Sequence, residues 1–138
     1  MNNLLPYTSG THDILILFLR LMVGSFLIYH GIELFDSAKM DGYAGWMPRF
    51  RPLSPSQIAY AGKAAELVTG ILLALGLFVR PASAVIIAVF LFITFRLGEG
   101  RIYMEEQHPF MFVLFGLLFL VAGGGKWSID KYLQKPSA

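Results

Sequence analysis

Four apolar stretches run through this chain, separated by segments rich in proline, glycine and charge. Residues 14–35, ILILFLRLMVGSFLIYHGIELF, make the first. As a helix it would be ~33 Å long, enough to cross the hydrocarbon core of a bilayer. Thr11 or Asp13 could cap its start. The second stretch, residues 57–79, follows Ser54, Pro55 and Ser56, with either serine a candidate cap and the proline suited to a first turn. Residues 82–97 form the third. The link 78–81, Phe-Val-Arg-Pro, is short enough to make spans two and three antiparallel neighbours. Residues 108–122 form the fourth, with Pro109 at its first turn and the run Gly123, Gly124, Gly125 stopping it. Segment 36–56 is the longest connection. Its prolines, Pro48, Pro52 and Pro55, predict a partly ordered loop lying over one end of the bundle. The pattern therefore predicts one all-α domain, an integral membrane four-helix bundle with antiparallel transmembrane helices.

Composition agrees with this reading. Of 138 residues, 56% are hydrophobic and 14% charged, against about a quarter charged in soluble domains. Mean hydropathy is +0.61. The net charge of +2 is small and the basic residues are scattered, so no nucleic-acid partner is expected. Zero cysteines exclude disulfides, thiolate metal sites and a thiol relay within the chain. The first dozen residues lack the basic region of a signal peptide, so the first span is expected to persist in the mature protein. Tyr43, Trp46 and Phe50 suit one membrane interface; Lys126, Trp127, Lys131, Tyr132 and Lys135 suit the other. Counts of Lys and Arg tie between the two ends, and Arg20 tips the orientation toward cytoplasmic termini. The expected location is the cytoplasmic (inner) membrane.

The charges inside these spans supply the candidate chemistry. Ionisable groups in lipid are costly and mark function by default. An up-down-up-down path brings His30, Glu33, Lys63, Glu66, Arg96 and His108 to the end away from the termini, with Glu105 and Glu106 beside them. His30 and Glu33 are spaced i, i+3, as are Lys63 and Glu66, so each pair shares a helix face. His30 exchanges protons most readily near neutral pH. Candidate proton-handling residues are therefore His30, Glu66 and His108, and candidate ligand-binding residues are Arg20, Glu33, Lys63, Arg96 and Glu106.

Plainer readings compete with each. The polar cluster could be interhelical glue that sets register. His30 and His108 are the minimum for axial haem ligation; with Glu105 or Glu106 they could hold a metal, although no HxxxH or ExxH spacing supports this, and no metal site is expected. Arg20 stands alone near the other end. It is expected to snorkel to the headgroups, or else to pair with a partner's carboxylate or with helix-end carbonyls. Gly24, Gly31, Gly62, Gly70 and Gly76 are expected to let helices approach closely.

The runs LRLMVGSFLIYHG (19–31), KAAELVTGILLALGLFVRPAS (63–83) and EQHPFMFVLFGLLFLVAGGGKWSID (106–130) resemble the DoxX family of small bacterial and archaeal membrane proteins. The resemblance spans nearly the whole chain. It rests on an Arg and a His-Gly in span one, A-E-L-x-x-G with G-L-x-x-R in span two, and an acidic–His–Pro start with a closing G-x-x-S-x-D in span four. Arg20, His30, Glu66 and His108 match the family's patterned positions. Where similar sequences often place a basic residue soon after His-Gly, this chain has Glu33, with Lys39 further on. The resemblance implies a four-helix transmembrane fold and an association with membrane redox systems linked to quinones or thiols. No intrinsic cofactor is expected; a quinone or lipid ligand and a redox partner subunit are. A non-catalytic module holding a lipid, a small ligand or a partner helix is the alternative, and a small transporter a third.

Overall fold

The computed structural model describes residues 9–134, and among these every regular element is helical. Lys135, assigned above to an interfacial belt, lies outside the described residues. Helix α1, Ser9–Gly31, is the longest at 23 residues. It tightens into a 3₁₀ turn at Ile32–Phe35. The stretch expected to be a loop then divides. Its first half is helix α2, Ser37–Trp46, capped by the Asp36 carboxylate, which accepts the Lys39 amide at 3.1 Å. All three prolines fall after Trp46, so no proline breaks 37–46, and the helix tolerates Gly42 and Gly45.

Helix α3, Pro55–Leu75, starts on a full capping box. The Ser54 hydroxyl accepts the Gln57 amide, and the Gln57 side chain accepts the Ser54 amide. Of the two candidate caps, Ser54 is therefore the one used. Gly76, at φ 73°, ends the helix in the left-handed conformation, earlier than the expected boundary at 79. Helix α4, Val79–Phe92, correspondingly begins three residues before the expected 82. The reason is remote in sequence. Both oxygens of Asp130 accept backbone amides at its start, from Phe78 at 2.8 Å and Val79 at 2.9 Å. A π-helical turn, Ile93–Leu97, extends α4. Helix α5, Gln107–Ala122, ends at Gly123, and the short helix α6, Ile129–Leu133, is capped by Ser128.

Three apolar helical segments, Gly10–Phe35, Pro55–Leu75 and Val79–Leu97, are long enough to cross a membrane. Helix α5 is apolar but has 16 residues, ~24 Å of rise. Helix α1 packs on α3, α4 packs on α5, and α3 lies beside α4. The α1–α3 seam is tight because it is built from small residues. A Cβ on Gly31 would lie 2.5 Å from the Leu67 backbone, and one on Gly70 would lie 2.8 Å from the Ile28 amide. Gly24 meets the same seam, whereas Gly62 faces open space and takes no part in it. Between α4 and α5, Phe90 stacks on Phe112 with centroids 4.6 Å apart. Val23, Leu27, Leu73, Val79, Ile86, Val113 and Phe119 complete the core. Many large apolar side chains, among them Phe18, Phe26, Val68, Leu117 and Val121, point outward, as a lipid-facing surface requires.

Candidate functional site

The i, i+3 pairs read from the sequence merge into one charged network where α1, α2 and α3 meet. Lys63 and Glu66 share a face of α3, and their charged atoms are 3.0 Å apart. Lys63 also reaches Glu33 at 3.1 Å, and Glu33 pairs with Lys39 at 3.0 Å. Tyr43 of α2 donates its hydroxyl hydrogen to Glu33 at 2.7 Å, and the Lys63 ammonium lies 4.8 Å from the Tyr43 ring centre. Two cations thus balance two carboxylates, which offsets much of the cost of burying Glu66, only 6% exposed. Outside the spans, the bond to Glu33 pushes the Tyr43 phenol up to about 12, and Glu33 also raises Lys39.

Beside this network lies a cleft of about 670 Å³ between α3 and α4, with α2 over its mouth. Lys63, Glu66 and Glu106 supply polar atoms to it. Tyr43, Trp46, Val89, Phe92 and Ile93 supply apolar and aromatic wall. The arrangement can take up an amphipathic molecule with a polar head and an apolar body.

The remaining sequence-derived candidates are placed differently. His30 and His108 meet edge to face with centroids 5.7 Å apart, and His108 continues onto Phe112. Neither lines the cleft. Glu106 borders the cleft, but its carboxylate accepts the amides of Glu99 at 2.9 Å and Arg101 at 2.8 Å and so organises the turn before α5. Gly98 is needed there, because a Cβ would lie 2.5 Å from the Glu106 side chain. Glu105 also borders the cleft, at its exposed edge, and pairs with Arg101. Arg96 lies over the Phe50 ring at 5.3 Å, outside the cleft wall. Among the described residues no three His, Asp or Glu side chains converge on a metal position.

Arg20 corrects the snorkelling expectation. It is 1% exposed and donates to the carbonyl oxygens of Gly124 and Trp127, so it ties α1 to the segment after α5. It lies ~15 Å along α1 from His30 and takes no part in the cleft. Tyr43 was legible only as an interface aromatic; its role in the network depends on α2, which the sequence reading treated as loop. Asp130 was noted in a closing motif, and its capping of α4 had no local signal.

The fold and its apolar surface define a small multi-pass helical membrane protein with a buried charge network opening on a cleft. Residues 15–98 match the DoxX family, and the chain belongs to it. That match takes in α1 through the π turn and stops before His108. No curated protein and no solved structure matches the chain.

Proposed function

We propose that this protein is the membrane subunit of a quinone- or thiol-linked redox system, with a quinone head group held in the α3–α4 cleft. The observation that carries this reading is the pairing of a buried Lys63–Glu66 ion pair with an apolar, aromatic cleft wall. Quinone reduction takes up two electrons and two protons. Two thiols on a donor yield those electrons and two protons on forming a disulfide, and this cysteine-free chain leaves that donor to a partner. Glu66, which borders the cleft, exchanges protons with the bound head, while His30 and His108 stand together outside the cleft wall and pass protons to it only through the charge network. Lys63 offsets negative charge. Four helices cross the inner membrane in antiparallel order, α5 with help from its flanks, and both termini face the cytoplasm. The Gly24–Gly70 and Gly31–Leu67 contacts and the Phe90–Phe112 stack support that register.

A non-catalytic role is the second reading. It is favoured by the network's internal neutrality, since two cations facing two carboxylates already satisfy one another without a ligand. The cleft would then hold a lipid tail.

Fluorescence separates the two. The chain has two tryptophans, and Trp46 lines the cleft. In a Trp127→Phe background a short-tailed quinone is expected to quench Trp46 saturably, and Glu66→Gln to weaken that quenching about tenfold. Unsaturable quenching with only phospholipid co-purifying would leave the binding module. The isolated chain is expected to lack a Soret band; a stoichiometric one would make His30 and His108 haem ligands.

A further inference from the structure

A second hollow, of about 840 Å³, opens at the end of the bundle that carries the Arg20 tie. It lies between the start of α4 and the segment joining α5 to α6. Arg80, Lys126 and Lys131 border it. Two carboxylates border it too, but each is already engaged with backbone. Asp130 accepts the Phe78 and Val79 amides, and Asp13 accepts the Lys126 amide at 3.1 Å. Among the described residues none of the three cations forms an ion pair. At the opposite end Lys39, Lys63 and Arg101 are paired, whereas Arg49, Arg51 and Arg96 form no ion pair among the described residues.

The hollow is held in shape from behind. Arg20 clamps Gly124 and Trp127, and among the described residues its buried Nε has no acceptor. The Asp130 amide donates to the Gly76 carbonyl oxygen at 2.9 Å, which locks α6 against the α3–α4 turn. Arg80 lies over Gly123, whose added Cβ would come 3.7 Å from its Nε. Exposed Phe78 and Leu133 border the hollow, and exposed Trp127 and Tyr132 follow Lys126 and Lys131 directly in sequence. Aromatic residues of that kind mark headgroup depth.

We propose that this hollow is a binding site for the phosphodiester head of an anionic phospholipid. Arg80 supplies a planar fork suited to phosphate oxygens, and Lys126 and Lys131 supply point charge. The apolar rim sets the headgroup at the depth where a lipid phosphate lies. Basic pockets between spans take anionic lipid heads for this reason. The site is separate from the α3–α4 cleft and does not depend on what the cleft binds.

Native mass spectrometry of delipidated protein, titrated with short-chain phosphatidylglycerol or phosphatidylcholine, tests it. The wild type is expected to bind one phosphatidylglycerol at least tenfold more tightly than phosphatidylcholine. The triple variant Arg80→Gln, Lys126→Gln, Lys131→Gln is expected to lose that preference. Arg49→Gln with Arg51→Gln, at the other end, is expected to keep it. Should the triple variant fold poorly, Arg80→Gln alone is expected to weaken binding several-fold, and rising salt to weaken wild-type binding. Equal affinity for the two lipids, or equal loss in the Arg49/Arg51 variant, would overturn the proposal. Displacement of the lipid by millimolar inorganic phosphate would overturn the lipid assignment in favour of a free-anion site.

Discussion

Lys63 serves two carboxylates, and that asymmetry decides what substitutions cost. Glu33 retains Lys39 and Tyr43 if Lys63 is lost, but among the described residues Glu66 pairs with no other cation. Lys63→Met therefore leaves a buried carboxylate uncompensated and is expected to destabilise the protein by about 3 kcal/mol. Glu66→Gln removes the charge that Lys63 must offset while Glu33 keeps Lys63 paired, so it is expected to cost about 1 kcal/mol or less. The double variant should recover most of the Lys63→Met loss. Thermal or denaturant unfolding in detergent checks the cycle; additive costs would mean that the pair is not coupled. Arg20 poses the inverse case at the other end. Arg20→Met strips the carbonyls of Gly124 and Trp127 of their donor, and a loss of about 3 kcal/mol is expected from the same unfolding measurement.

Among the elements, α2 differs most from its sequence reading and matters most to the site. It brings Lys39 and Tyr43 onto Glu33 and Trp46 onto the cleft. Its docking has a pH signature. Glu33 accepts the Tyr43 hydroxyl hydrogen, which raises the phenol from 10.0 to about 12. A raised value means that the protonated form carries the contact. The stabilisation is thus full below about pH 10 and lost as the pH rises from there through about 12. Phenolate absorbance of wild type minus Tyr43→Phe is expected to yield one tyrosine titrating near 12. A difference curve centred near 10 would mean that α2 is not held to Glu33 by this bond.

At the scale of the whole molecule, the two ends of the bundle divide the chemistry. One end gathers a neutralised charge network beside an apolar cleft; the other gathers, around a buried arginine tie, cations that form no ion pair among the described residues. A four-span path is expected to put both termini on one side. Because the chain has no cysteine, single introduced cysteines report topology cleanly. Asn3→Cys and Lys135→Cys are expected to label from the same side of sealed vesicles, and Gly42→Cys from the opposite side. Termini that label from opposite sides would mean that α5, shorter at 16 residues than the three apolar segments long enough to span, does not cross.

Much of this was legible along the chain because it depends on local physics. Long apolar runs with few charges set the spans. Ser54, one of the two candidate caps, and Gly123 set boundaries within a residue or two. Helical spacing alone put Lys63 beside Glu66, and shared depth put Glu33 near them.

Tertiary structure decided the rest, because those features join residues far apart in sequence. Asp130 starts α4 from 51 residues downstream of Val79, so the early start of α4 had no local cue, although Gly76 marked the end of α3. Arg20 had no neighbour in its own helix to pair with, and packing brought it the carbonyls of Gly124 and Trp127, over 100 residues away. Depth along a helix placed His30 and His108 together, as found. Depth carries no information about rotation around the helix axis, however. Only the packing of α1 on α3 and of α4 on α5 decided that Lys63 and Glu66 line the cleft while the two histidines do not.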